Sequence, residues 1–177
     1  LLKKAMKGEL DLMGPAMKVA GELMSIPDFG SAPDNDFEKF HGYVKQFKKA
    51  VLMVAGSAAQ KLAAKMAKEQ EVLMSIADMA IMTYAAESIL LRVQKMAQLK
   101  GDDHVKVHME MMKSFIYDAA ETIHSSGKEA LISFAEGDEL RMMLTGLRRF
   151  TKVEPFNIKE SRQIVAQKLI EANEYCF

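Results

Sequence analysis

The chain has little of what disulfide scaffolds and many active sites are built from. Of its 177 residues one is cysteine, four are proline, ten are glycine and none is tryptophan. The lone thiol, Cys176, excludes an internal disulfide and a cysteine-based zinc cluster, and it fits a reducing compartment, so the cytoplasm is the expected location. Scarce proline and glycine leave few places for a helix to break. Neither charge sign is in excess, since 24 Lys and Arg balance 24 Asp and Glu, and nothing draws the chain as a whole towards nucleic acid. No apolar run reaches the ~18 residues of a spanning helix, and no secretory segment is visible.

What is present suits a helical domain. Ala, Leu, Met, Lys and Glu dominate, and 49% of the residues are hydrophobic, enough in a chain of this length for one real core. Leu1 opens in the middle of an amphipathic pattern, so we read the chain as a stretch of a longer one.

The pattern predicts a first helix from Leu1 to about Met24, interrupted at Gly14-Pro15. The stretch "SIPDFGSAPDND", Ser25 to Asp36, is the clearest loop. A long helix is expected from Phe37 to Lys68, with Phe47, Val51, Val54, Ala55, Ala58, Leu62 and Met66 at spacings of three and four. The next runs from Val72 to Leu99, with Leu73, Ile76, Ala77, Ala80, Tyr84 and Leu91 facing one way. Gly101 can end it, and Asp102 or Asp103 can cap its successor. Val105, Met109, Met112, Ile116, Ala119 and Ile123 then form a bundle seam, and "SSGKE" is expected to weaken or kink the chain before Leu131. Leu140, Met143, Leu144 and Leu147 mark another helix, which "KVEPFN" stops. A closing helix spans about Ile158 to Glu174. Nothing alternates with period two, so the fold expected is all-α, an antiparallel helical bundle of five or six helices.

Several stretches carry a hint of chemistry, and each has a plainer reading. His104 and His108, four apart beside Asp103 and near Glu110, would share a helix face, which is how a metal site can begin; without H-E-x-x-H or a third ligand they read as two solvent-facing histidines. Ser57 in "VAGSAAQ" lacks the nucleophile elbow and reads as a small residue at a close helix approach. Gly-Lys in "SSGKEA" lacks the rest of a phosphate-cradling loop, and Cys176 has no activating neighbour. Of the fifteen methionines, Met53, Met66, Met74, Met109 and Met112 fall on or close to the core-facing stripes and read as core filler. Lys45, Lys48, Lys49, Lys61, Lys65 and Lys68 make the region from Phe40 to Lys68 basic, which would suit an anionic membrane or acyl-CoA phosphates. At 100° per residue the first three lysines lie nearly opposite the last three, flanking the apolar stripe, so a solvated helix is favoured.

Whole helices, however, resemble a known family. "KGELDLMGPAMKVAGELMSIPDFG", "FKKAVLMVAGSAAQKLAAKMAKEQEVLMSIADMAIMTYAAESILLRVQKM" and "FAEGDELRMMLTGLRRFTKVEPFNIKESRQ" are similar to the C-terminal helical extension of long-chain and very-long-chain type acyl-CoA dehydrogenases, particularly bacterial ones, over essentially the whole chain. The resemblance implies a parent flavoprotein that binds FAD and oxidises an acyl-CoA to the trans-2-enoyl-CoA. Its base would be a glutamate in a Y/F-E-G-T-N-E loop just upstream of Leu1. Residues 1–24 would then be the end of the last core-bundle helix, 25–36 a loop and 37–177 the extension bundle. Upstream domains are the implied partner; a homodimer, and contact of the basic stretch with a membrane surface, complete the expected set. No catalytic, cofactor-binding or metal residue is assigned to this stretch.

"FAEGDEL" shares an aromatic, Glu136-Gly137, Glu139 and Arg141 with the family's base loop, but Ala135 intervenes and the Thr-Asn pair is missing. Leu2-Lys3-Lys4-Ala5-Met6-Lys7 can also be laid on Leu147-Arg148-Arg149-Phe150-Thr151-Lys152, so the extension reads as a degenerate copy of the core bundle with Glu136 where the base would be. Gly137 is expected to end one segment and Asp138 to cap the next helix. The rival reading is an autonomous helical adaptor, and a metal-binding four-helix protein would need Glu-x-x-His pairs that the sequence lacks.

Overall fold

The computed structural model describes residues 13–24 and 33–177. Among them lie six α-helices and no strand: α1 (Met13–Met24), α2 (Asp36–Leu62), α3 (Gln70–Lys100), α4 (Lys106–Phe134), α5 (Gly137–Phe150) and α6 (Ile158–Ala172). The all-α bundle is therefore as expected. The stretch Leu2–Lys7, invoked for an internal copy, and most of the loop after Met24 lie outside the described residues.

The pairs of touching residues show α2 running antiparallel to α3 and to α5. Between α2 and α3, His41 meets Gln94 and Lys48 meets Glu87. Between α2 and α5, Lys61 pairs with Glu139 while Lys49 lies over Phe150 at 5.9 Å. The core gathers where α2, α3, α4 and α5 converge, around the fully buried Phe47, Val54, Met79, Leu90, Met112, Ile116, Ile123, Leu147 and Phe150. The seam expected on α4 is there: Val105, Met112, Ile116, Ala119 and Ile123 are buried and Met109 is half-buried.

Local chemistry explains most of the ends. Asn35 accepts from the Glu38 backbone N–H at 2.9 Å, and the Glu38 carboxylate accepts from Asp34 N–H at 2.9 Å, a reciprocal cap that starts α2. Asn157 caps α6 in the same way through Glu160 N–H at 3.2 Å. Gly101, at φ 85, closes α3 by donating to the Ala97 carbonyl at 2.9 Å.

Several expectations about the ends and faces of the helices bear re-reading. First, α2 stops at Leu62, and Ala63–Lys68 is a 3₁₀ turn. No glycine or proline announces this; Ala63 turns to φ 44, a conformation disfavoured for a residue with a Cβ, while the buried Met66 anchors the turn beyond it. Second, Met13 to Met24 is helical with Gly14 and Pro15 included, and the residues before Met13, where the expected interruption would show, lie outside the described residues. Third, "SSGKE" neither breaks nor kinks the chain, because α4 runs from Lys106 to Phe134. Gly127 is buried there for space: a Cβ would stand 2.8 Å from Leu147 Cδ1 and 3.1 Å from Met79 Cε.

The fourth correction concerns α3. Its buried residues are Val72, Met79, Thr83, Ala86, Leu90 and Val93, whereas Ala77, Ala80, Tyr84 and Leu91 are exposed and Leu73 and Ile76 half-buried. Met74, expected in the core, is also exposed. The helix is apolar on both sides, so periodicity alone could not choose which side turns inward. Against the expectation that no stretch is long and apolar enough to span, α3 could cross a bilayer by length and composition, and 22% of its most apolar window is buried. Fifth, the caps expected from Asp102, Asp103 and Asp138 are not made. Asp102 and Asp103 lie in a 3₁₀ turn, and Glu136 occupies the N-cap position of α5 without a side-chain cap bond.

Candidate functional site

The residues singled out in the sequence do not converge. Among the described residues no three His, Cys, Asp or Glu side chains gather as a metal-binding group. His104 is exposed in the 3₁₀ turn, while His108 is half-buried in α4 and stands edge-on to Phe177, with ring centroids 5.8 Å apart. Asp103 instead pairs with Lys106 at 2.8 Å. Ser57 is half-buried; the close approach is one residue earlier, where a Cβ on Gly56 would stand 2.3 Å from Ala16 Cβ.

The base-like loop has a structural role. Glu136 is exposed, and the α5 helix starts after it through Gly137 at φ 59, a conformation that glycine adopts without strain. Asp138 pairs with Arg141 at 3.2 Å, and Glu139 reaches Lys61 in the last turn of α2. Both acids sit in the first turn of α5, and Arg148 and Arg149 sit in its last, which complements the helix dipole. Among the described residues Glu136 lines none of the principal cavities, so nothing here poises it as a base.

Three of the six lysines in the basic stretch make internal ties, and Lys45, Lys65 and Lys68 are exposed. Lys48 holds Glu87 of α3 at 2.5 Å, Lys49 holds Glu22 of α1, and Lys61 holds Glu139 of α5. Each joins α2 to a different helix.

No motif in the sequence announces the polar concavity at the start of α2. It holds about 370 Å³ where the first turns of α2, α4 and α6 meet the α5–α6 connection. On one wall Lys39 holds Glu154, whose backbone N–H donates to the Tyr43 hydroxyl at 3.2 Å. On the other, Glu110 accepts from Lys113 at 2.9 Å and from the Ser161 hydroxyl. The hydrogen bond to Glu154 raises the Lys39 ammonium above its ordinary 10.5, and the Lys39 bond lowers the Glu154 carboxyl below 4.5. Burial works against ionising Glu110, but the bonds from Ser161 and Lys113, with the Lys113 charge, outweigh it and leave that carboxyl low. The charges of these two clusters are matched within each, so the cavity braces three elements and offers no poised acid, base or nucleophile. Its members are distant in sequence, Lys39 and Glu154 by 115 positions, and no local spacing could have joined them.

Comparison with known proteins gives this bundle a family. Residues 46–149, more than half of the chain, match the family model for the acyl-CoA dehydrogenase C-terminal domain. A probable acyl-CoA dehydrogenase of Bacillus subtilis (strain 168) is 38% identical over 175 residues, covering 98% of this chain and 29% of that protein. The crystal structure of an acyl-CoA dehydrogenase complexed with FAD from Bacillus anthracis matches with a TM-score of 0.91 at 38% identity, over 99% of this chain and 30% of that one. The chain thus spans less than a third of the length of either relative. It belongs to the acyl-CoA dehydrogenase C-terminal domain family.

Proposed function

We propose that the chain is the non-catalytic C-terminal helical domain of an FAD-dependent acyl-CoA dehydrogenase of the long-chain or very-long-chain type. The parent enzyme oxidises an acyl-CoA to the trans-2-enoyl-CoA, and this domain packs on the upstream domains and supports dimerisation. The observation that carries the non-catalytic role is the placement of Glu136: exposed, at a helix start, with no cavity in front of it.

FAD would supply the hydride acceptor in the parent. The described residues of this chain do not suit it. The two ammonium groups at the polar concavity beside Lys39 and Lys113 already hold Glu154 and Glu110, and no glycine-rich turn opens onto it. No reaction step is therefore assigned to this chain. Its own residues fasten helices to one another, through Lys48, Lys49 and Lys61 from α2 and through Lys39 and Glu110 at the α5–α6 connection. That internal use of the lysines favours packing over membrane contact as the role of α2.

The test uses the full-length polypeptide. Flavin absorbance and dye-linked oxidation of an acyl-CoA series are expected, with preference for long chains. Glu136→Gln is expected to leave turnover within a few-fold of wild type; a loss of several orders of magnitude would place a base in this domain and overturn the reading. A full-length protein without flavin or acyl-CoA oxidation would support the adaptor instead.

A further inference from the structure

We infer that the outer face of α3, from Met74 to Leu91, is the seat on which the rest of the same polypeptide docks. The inference rests on the proposed reading of the chain as one domain of a longer dehydrogenase. Met74, Ile81, Tyr84 and Leu91 are 65%, 61%, 74% and 49% exposed. At 100° per residue they fall within about a 100° arc, which also contains Ala77 and Ser88, on the side of α3 opposite Val72, Met79 and Leu90. No charged residue lies inside this arc. Asp78 and Glu87 stand just beyond its two edges, and Glu87 is held by Lys48 of α2.

A soluble helix with one buried face normally turns charge outward; a helix apolar on both faces is covered on both. Here one face is covered by α2 and α4, and the opposite one is open. The other exposed large apolar residues are distributed over α1, α4, α5, α6 and the chain's end, with Leu99 lying further along α3.

Two occupants fit an apolar strip with acids at one end and bases at the other. Glu69, Glu71, Asp78 and Glu129 surround its start, and Arg92, Lys95 and Lys100 follow its finish. A second copy related by a two-fold axis would match these charges, as would another part of the same chain. Area decides between them. The strip is about 26 Å long and about 10 Å wide, so it offers on the order of 250 Å². A free-standing dimer needs about 800 Å² from each partner. A tethered surface is presented at roughly millimolar effective concentration and needs far less. The relatives supply such a surface: 70% or more of each lies outside the part that this chain matches.

The experiment places Ile81→Cys or Tyr84→Cys in the full-length protein and follows maleimide labelling of the α3 peptide by mass spectrometry. Glu121→Cys, on the exposed side of α4, serves as reference. Thiols under a docked domain are expected to label about a hundredfold more slowly than the reference, at a rate that does not change on dilution. Labelling at the reference rate overturns the inference. So does protection that dilution removes, or a chain-to-chain disulfide formed by either introduced α3 thiol after mild oxidation, because both outcomes make the occupant a second copy. Flavin content and acyl-CoA oxidation of the same preparations report on the proposed function separately. Protected thiols in a flavin-free, inactive protein would retire the enzyme and keep the docking face, and open thiols in an active flavoenzyme would do the reverse.

Discussion

Helices α5 and α6 have nearly the same length, 14 and 15 residues, and both pack against α4. They are held by different forces. Helix α5 buries Met143, Gly146, Leu147 and Phe150. Helix α6 buries only Ser161, leaves Ile164, Leu169 and Ile170 exposed, and is tied down by polar contacts. Ser161 donates to Glu110, Arg162 spans both oxygens of Asp118 at 2.9 and 3.0 Å, and Phe156, just before the helix, meets Tyr117 edge-on. Apolar docking resists acid and salt. Docking through ionised groups responds to both, so the two helices should part company under conditions that leave the core intact.

The largest effect is expected on the α5 side. Phe150→Ala should remove about 3–5 kcal/mol of unfolding free energy in a denaturant titration, because the ring is fully buried and its neighbours cannot collapse into the space. A loss below about 1 kcal/mol would show that α5 is no more deeply held than α6. Next comes Gly56→Ala, at about 1–3 kcal/mol. The added methyl meets Ala16 Cβ, which is fixed to its backbone, so α1 must move. Gly127→Ala should cost less, because Leu147 Cδ1 and Met79 Cε lie at the ends of side chains that can swing.

The pH response is smaller and local. The folded Glu110 carboxyl lies below its ordinary 4.5, so its contribution is complete above that value and is lost as pH falls through the lower folded value. Hydrogen exchange in α6 should therefore quicken in acid before exchange in α5 does, and Glu110→Gln should remove that difference. At the opposite end of the scale Lys39 lies above 10.5, so its tie to Glu154 is complete below 10.5 and released as pH rises through the higher folded value. The smallest effect is expected for Arg162→Ala. Its pair with Asp118 is exposed, and about 0.2–1 kcal/mol should be lost at low salt and still less at high salt. A larger loss that salt does not diminish would mean that α6 is docked by packing after all.

The same contrast explains what the sequence could tell. The α4 seam and the stripe of α2 were legible because one face of each helix is apolar and the other is not. On α3 that asymmetry fails, and the stripe containing Tyr84 and Leu91 turned out to face away from the core. The stop of α2 at Leu62 was invisible, since "KLAAKMAK" contains only good helix formers and no glycine or proline marks the turn that buries Met66. Gly127 shows the opposite error. A glycine read as a weak point is a notch that lets α4 approach Leu147 of α5 and Met79 of α3. The family was readable because it is spread over whole helices. The brace at Lys39, Tyr43, Glu110, Glu154 and Ser161 was not, because it is assembled by the fold from segments that carry no shared motif.

The contact between Ala16 and Gly56 leaves room for a single methyl group. Which helix supplies that methyl is immaterial to the spacing. Exchanging the two residues, so that glycine stands at position 16 and alanine at 56, should return α1 to its place and recover most of the stability that Gly56→Ala alone removes. The distance between these two helices is thus a property of the pair, and either residue can be read correctly only together with the other.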